Sequence, residues 1–179
     1  MSKNILVISA SLRNGSNSDM LADEFMRGAL ESGNKAEKIT LCGKSINFCK
    51  GCLACQKTGK CVIKDDMAEI LPKMQQADVI CFASPVYFYD ICGQLKTFLD
   101  RTNPLFPAEY NFTDIYFLIT AADTEQTASE GPLKGLQGWI DCFENAGLKG
   151  VVCGLGAEKP GDVKSMPAMN KAYMLGKQA

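Results

Sequence analysis

The segment KNILVISASLRNGSNSDMLADEFMRGALESG, Lys3 to Gly33, decides the fold. Its first seven residues form an unbroken, mostly apolar run, the pattern of a strand buried on both faces of a sheet. A polar turn follows, from Ser9 to Ser18. Beyond it Leu21, Phe25 and Leu30 recur at near-helical spacing, and Gly33 stands where a helix would stop. A fully buried strand leading through a polar turn into a helix opens a βαβ unit, which predicts a parallel sheet.

The same alternation continues outward. Lys35–Leu41 reads as a weaker second strand, Asp78–Ser84 (DVICFAS) as a third, Asp114–Ala121 (DIYFLITA) as a fourth and Lys149–Gly154 as a short fifth. Helices are expected over Met67–Gln76, over Gly93–Arg101 with Leu95, Phe98 and Leu99 inward, over Gly131–Ala146 closed by Gly147, and over Ser165–Gly176. Five strands joined by right-handed crossovers suit a flavodoxin-like three-layer α/β sandwich with a parallel sheet of order 2-1-3-4-5. No repeat or linker interrupts the chain. It is read as one domain over residues 1–179 with a cysteine-rich insertion at 42–66, a stretch without clear period.

Composition narrows the function. Of 179 residues 46% are hydrophobic and 22% charged, ordinary for a soluble globular protein. A net charge of −1 gives no reason to expect a nucleic-acid or anionic-membrane partner. The N-terminus lacks the apolar core of a signal peptide, and no run approaches the roughly 18–20 apolar residues of a membrane helix. A cytoplasmic location is therefore expected. Histidine is absent, which removes imidazole bases, imidazole metal ligands and every Ser–His or Cys–His pair. Chemistry must come from a cofactor or from the nine cysteines.

In open parallel sheets ligands sit outside the carboxyl ends of the strands, beside the point where strand order reverses. Ser9, Ser11, Arg13, Gly15, Ser16, Asn17 and Ser18 fall there, at a helix N-terminus whose unpaired N–H groups suit a phosphate. The turn matches neither GxGxxG nor GxxxxGK[ST], and without lysine it suits a flavin monophosphate better than a nucleoside triphosphate. Ser and Asn are also common N-cap and turn residues, so both readings stand. After the third strand, Pro85 should force an extended turn that ends the ladder. Val86, Tyr87 and Phe88 there could lie along a flat ring or simply pack over the sheet end. Thr120, Ala121 and the residues that follow to Asp123, at the end of the fourth strand, are weaker candidates.

The most distinctive stretch is CKGCLACQKTGKC, with Cys49, Cys52, Cys55 and Cys61. Four thiolates within one short loop can converge on a compact centre, and the first three share the C-x2-C-x2-C spacing of cluster proteins. Zinc is a rival, although its sites usually separate two Cys pairs by a longer loop. Thiol chemistry favoured by Lys50, Lys57, Lys60 and Lys64 is another reading. Cys42, Cys81, Cys92, Cys142 and Cys153 are expected to be small buried hydrophobes. Asp65 and Asp66 should cap the following helix, and Asp100–Arg101 should form a helix-end or subunit-contact ion pair.

The Ser9–Ser18 turn, the SPVYFY segment from Ser84 to Tyr89, and Lys96 with Asp100–Arg101 together resemble the NADPH-dependent FMN reductase and flavodoxin-like quinone reductase superfamily. The likeness runs in order from residue 3 to about residue 155. It implies FMN, with its phosphate on residues 11–18 and its ring along 85–88, and no catalytic side chain, because the flavin carries the chemistry. The cysteine spacing is similar to that of the iron–sulfur flavoproteins, which implies a [4Fe–4S] cluster on Cys49, Cys52, Cys55 and Cys61 and a ferredoxin-type partner. Without the cluster, NAD(P)H feeding FMN or a small-molecule quinone is implied. Comparable loops also serve as metal-free subunit contacts. A homodimer or homotetramer is implied, with contacts through 42–66 and 104–110. A non-enzymatic zinc or thiol sensor on the same fold remains as a third reading.

Overall fold

The structure is a computed structural model and describes residues 2–179. β1 (Asn4–Ser9) lies between β2 (Lys35–Thr40) and β3 (Val79–Tyr87), and β5 (Asp114–Ala121) and β6 (Gly147–Leu155) extend the sheet beyond β3. All four pairings are parallel. A two-residue strand, β4 (Asp90–Ile91), folds back antiparallel on β3. With that hairpin set aside, the order β2-β1-β3-β5-β6 is the expected doubly wound sheet.

Alternation along β1 divides the core. Ile5 and Val7 face one layer, built by α1 (Asn17–Glu31) and α6 (Pro167–Gln178), where they meet Leu21, Phe25 and Ala172. Leu6 and Ile8 face the other, built by α3 (Met67–Gln76), α4 (Gly93–Asp100) and α5 (Glu130–Ile140), with Met74, Leu95 and Phe98. Among the described residues no helix is long and apolar enough to cross a membrane.

Three expectations are corrected. β3 does not stop at Ser84 but continues through Pro85, which pairs in register with Thr120 of β5. The β1 ladder has already ended at Ala83, so β3 is an edge strand on that side and proline's missing N–H breaks no bond there. The helix expected to reach Ala146 ends at Ile140, because Phe143 turns inward onto Trp139 and Phe112; Gly147 then opens β6, opposite Asp114. The insertion at 42–66 holds a five-residue helix, α2 (Ala54–Thr58), that carries Cys55.

α1 and α6 cross at backbone contact. A Cβ on Gly28 would collide with the Tyr173 carbonyl oxygen, and one on Gly176 with that of Phe25. Gly176→Ala should therefore destabilise the protein by about 3 kcal/mol, because main chain cannot yield as a side-chain tip can. Gly138 in α5 has no heavy atom within 4 Å of a would-be Cβ, and Gly138→Ala should stabilise by about 0.5–1 kcal/mol. Urea unfolding followed by circular dichroism checks both signs.

Candidate functional site

The carboxyl ends of β1, β3, β5 and β6 frame a cavity of about 290 Å³. Ser11, Arg13, Ser16 and Asn17 line it from the first loop, Pro85, Val86 and Tyr87 from β3, and Thr120 and Ala121 from β5. Three separate segments singled out in the sequence thus share one wall. Ser9, Gly15, Ser18 and Phe88 do not line it.

The first loop is built for its place. Gly15 takes the left-handed turn, φ 65°, that lets the chain reverse into α1. The Ser11 hydroxyl accepts from the Arg13 N–H at 3.2 Å. Ser16 is the N-cap, and its hydroxyl accepts from the Asp19 N–H at 3.5 Å and pairs with the Ser18 hydroxyl at 3.0 Å. Helix geometry leaves the first-turn N–H groups of Asn17 and Ser18 without intrahelical acceptors, at the positive end of the α1 dipole. Asp19, which would oppose an anion there, is paired with Lys38 at 3.0 Å. Burial alone would lower the Lys38 pKa, yet Asp23 and Asp19 together raise it. Ser9 is fully buried, and its hydroxyl has no partner among the described residues. It shares the β1 face of Ile5 and Val7, the side that α1 covers.

In the sequence Asn17 stands among the phosphate candidates of the first loop. Its side chain is instead committed to the loop after β6: Nδ2 donates to the carbonyls of Ala157 (3.2 Å) and Lys159 (2.9 Å), and Oδ1 accepts from the N–H groups of Gly161 (2.9 Å) and Val163 (3.3 Å). Asn17 therefore offers the cavity its main-chain N–H. Arg13 joins the same loop by donating Nη1 to the Glu158 carbonyl at 2.8 Å. Ala122, within the Thr120–Asp123 stretch, also lines the cavity, as do Ala157 and Glu158, which were not singled out. The signal existed: GAEKPGD follows the last strand, at the same sheet edge as the other three loops.

The β3–β4 hairpin is strained. Phe88 and Tyr89 fill its two-residue turn with φ of 51° and 61°, conformations that bulky residues rarely adopt. Phe88 is fully exposed at the tip. Two contacts hold the turn. The Tyr89 hydroxyl donates to Asp123 Oδ2 at 2.8 Å, and the Tyr89 carbonyl rests on Gly131 of α5, where a Cβ would collide with it. The carboxylate of Asp123 raises the Tyr89 pKa, while the Glu125 N–H and then Tyr89 lower that of Asp123. The bridge ties the two loops that carry Tyr87 and Thr120.

In the cysteine loop, Cys55 is buried on α2, Cys61 is half-buried, and Cys49 and Cys52 face solvent. Among the described residues no three Cys, Asp or Glu converge on a metal-sized centre. Burial pushes the Cys55 thiol up, and Cys61, Cys49 and Cys52 add to it through space. Left-handed turns at Gly51 and Leu53 curl the loop around Cys52. The donor set fits a four-thiolate centre if the loop draws Cys49 and Cys52 inward.

The acids and Arg101 depart from expectation. Asp65 Oδ1 accepts from the Met67 N–H at 3.2 Å, but Asp65 stands one residue before the N-cap, Asp66, whose side chain makes no capping bond, and the main partner of Asp65 is Arg101 at 2.6 Å. Burial alone would raise the Asp65 pKa; Arg101 and the Asn47 N–H groups outweigh it and hold the carboxyl well below the usual range. Asp66 accepts from the Ser45 N–H, and Asp100 pairs with Lys96 instead of Arg101. Cys81 and Cys92 are buried as expected and Cys153 is half-buried. Cys42 and Cys142 are exposed, because both lie just past an element's end.

A family model described as NADPH-dependent FMN reductase matches residues 3–129. An iron–sulfur flavoprotein of Methanocaldococcus jannaschii is 44% identical over 101 residues, which are 56% of this chain and 52% of that protein. The chain thus matches about half the length of that relative. YwqN of Bacillus subtilis, provisionally named an NAD(P)H-dependent FMN-containing oxidoreductase, is 29% identical over 189 residues, 98% of this chain and 97% of its own. The structure of an NAD(P)H:quinone oxidoreductase from Methanothermobacter marburgensis superposes with a TM-score of 0.78 at 18% identity, over 99% of this chain and 96% of that one, which shows a shared fold. The matched residues include β1, β3 and β5, three of the strands whose ends frame the cavity, and by that match the chain belongs to the NADPH-dependent FMN reductase family.

Proposed function

We propose that this chain is a flavin-dependent oxidoreductase that binds FMN in the cavity at the carboxyl edge of the sheet. One observation carries the reading: the first-turn N–H groups of α1, the β3 overrun and the end of β5 converge on a single cavity. The N–H groups of Asn17 and Ser18, the hydroxyls of Ser11 and Ser16 and the Arg13 guanidinium would hold the phosphate. Backbone at Pro85–Tyr87 and Thr120–Ala121 would line the ring, with Tyr87 as its half-exposed aromatic wall. FMN, when bound, supplies one- and two-electron redox chemistry; the chain binds it, orients it and limits solvent access. The Tyr89–Asp123 bridge keeps the two ring loops in fixed register.

The cysteine loop adds a [4Fe–4S] cluster on Cys49, Cys52, Cys55 and Cys61 in this proposal. Its support is the thiol spacing, together with identity to a relative named as an iron–sulfur flavoprotein. A ferredoxin-type partner then delivers electrons one at a time. A second reading omits the cluster and takes electrons from NAD(P)H. It is favoured by the outward-facing Cys49 and Cys52 and by the full-length likeness to YwqN.

Stripped of cofactor, the protein should bind FMN far more tightly than riboflavin, which lacks the phosphate. Arg13→Gln should weaken FMN binding by about 10-fold and leave riboflavin binding unchanged. Quenching of flavin fluorescence measures both, and equal affinity for the two flavins would refute the site.

Anaerobic purification decides between the two electron sources. The cluster reading expects about four irons per chain and a broad absorption near 400 nm that bleaches on reduction. Flavin bands alone, with all four loop thiols free after denaturation, would leave the NAD(P)H reading standing.

A further inference from the structure

Arg101 follows α4 and is among the largest fully buried side chains of the protein. Three edges of its planar guanidinium can be told apart. The end-on edge makes a paired contact with Asp65, Nη1 to Oδ2 at 2.6 Å and Nη2 to Oδ1 at 2.9 Å. The edge beside Cδ donates Nη1 to the Asn47 carbonyl at 2.7 Å. On the remaining edge Nη2 donates to Cys61 Sγ at 3.5 Å, and Nε, which shares that edge by the planarity of the group, is buried with no partner among the described residues.

A buried N–H without an acceptor is costly and rare in folded proteins. This one lies beside a thiol of the cysteine loop. Asp65 cannot release the guanidinium to serve elsewhere, since it also fixes the loop by accepting from the Asn47 N–H at 2.9 Å and the Met67 N–H at 3.2 Å. The pair therefore aims a fixed, cationic, half-satisfied donor edge at sulfur.

We propose that Arg101 is the positioning residue of the cysteine loop's centre. It donates from Nη2 to the Cys61 thiolate and from Nε to a second anionic sulfur brought alongside when the loop closes on a cluster. The inference rests on the cluster reading above. N–H···S bonds to a thiolate-bound cluster stabilise its reduced, more negative form, so losing them lowers the reduction potential. They also hold the ligand in place, so losing them speeds metal loss.

The test reconstitutes the wild-type chain and Arg101→Lys with iron and sulfide under anaerobic conditions. Lysine keeps the charge for Asp65 but cannot present two N–H groups along one edge. Arg101→Lys is expected to keep FMN binding, to lose iron to a chelator about 10-fold faster and to show a more negative cluster potential in a dye-mediated titration. A wild-type chelation rate and potential in the variant overturn the proposal while the cluster reading stands. Should the variant fail to fold, wild-type protein grown on 15N-arginine decides. Pulsed EPR of its reduced cluster is expected to show 15N modulation, and a cluster without it overturns the proposal. A wild-type chain that takes up FMN but no iron overturns both this proposal and the cluster reading, and leaves the flavin site untouched.

Discussion

Because β1 is flanked by β2 on one side and β3 on the other, the chain leaves β1 over one face of the sheet and reaches β3 over the opposite face. Right-handed crossovers permit no other arrangement, and two loops departing to opposite faces cannot close over the carboxyl ends between them. The crevice at that edge is a consequence of topology before any side chain is chosen. Side chains then specialise it. α1 presents its unpaired N–H groups there, β3 overruns its ladder to form one wall, and β5 and β6 end alongside.

The position of α1 depends on residues far away in sequence. Gly28 and Gly176 allow α1 and α6 to meet backbone to backbone, and the four hydrogen bonds of the Asn17 amide fasten the start of α1 to residues 157–163. Both partners lie beyond the segment that the family model matches. The N-terminal turn is thus held by the C-terminal part of the domain. The hairpin opposite is held by comparable means. Consecutive left-handed aromatic residues cost about 1–3 kcal/mol each, and the Tyr89–Asp123 bond with the Gly131 contact keeps them in place.

What the sequence revealed follows from range. Three of the main strands, β1, β3 and β5, are apolar runs whose burial on both faces leaves a continuous pattern, and strand order follows from handedness, so the sheet was legible. The turn from Ser9 to Ser18 was legible as a helix entrance because capping chemistry is local. Features set by distant partners were not. Nothing near Asn17 announces that its amide will be taken up by carbonyls some 140 residues away. Pro85 reads as a strand breaker until the β1 ladder is known to have ended. Asp100 and Arg101 are adjacent, which suggests a pair; only the fold shows that Arg101 points inward to Asp65 while Asp100 stays outside with Lys96.

Arg101 also explains how the cysteine loop can be ordered at all. From residue 42 to 66 only Cys55 is buried, so hydrophobic burial contributes little to fixing this stretch. Its two ends are held by one ionic anchor: the Asn47 carbonyl and N–H at the start, Cys61 and Asp65 at the end, all meeting the same guanidinium or its carboxylate. A buried ion pair is a poor source of net stability, since desolvation offsets most of the attraction, but removing either partner typically costs about 3–5 kcal/mol. Such a pair contributes little to overall stability and much to geometry. Between those fixed points Cys55 is buried on α2 and Gln56 donates to Asn103 at 3.2 Å, so only Cys49 and Cys52 of the four motif thiols lie open to solvent.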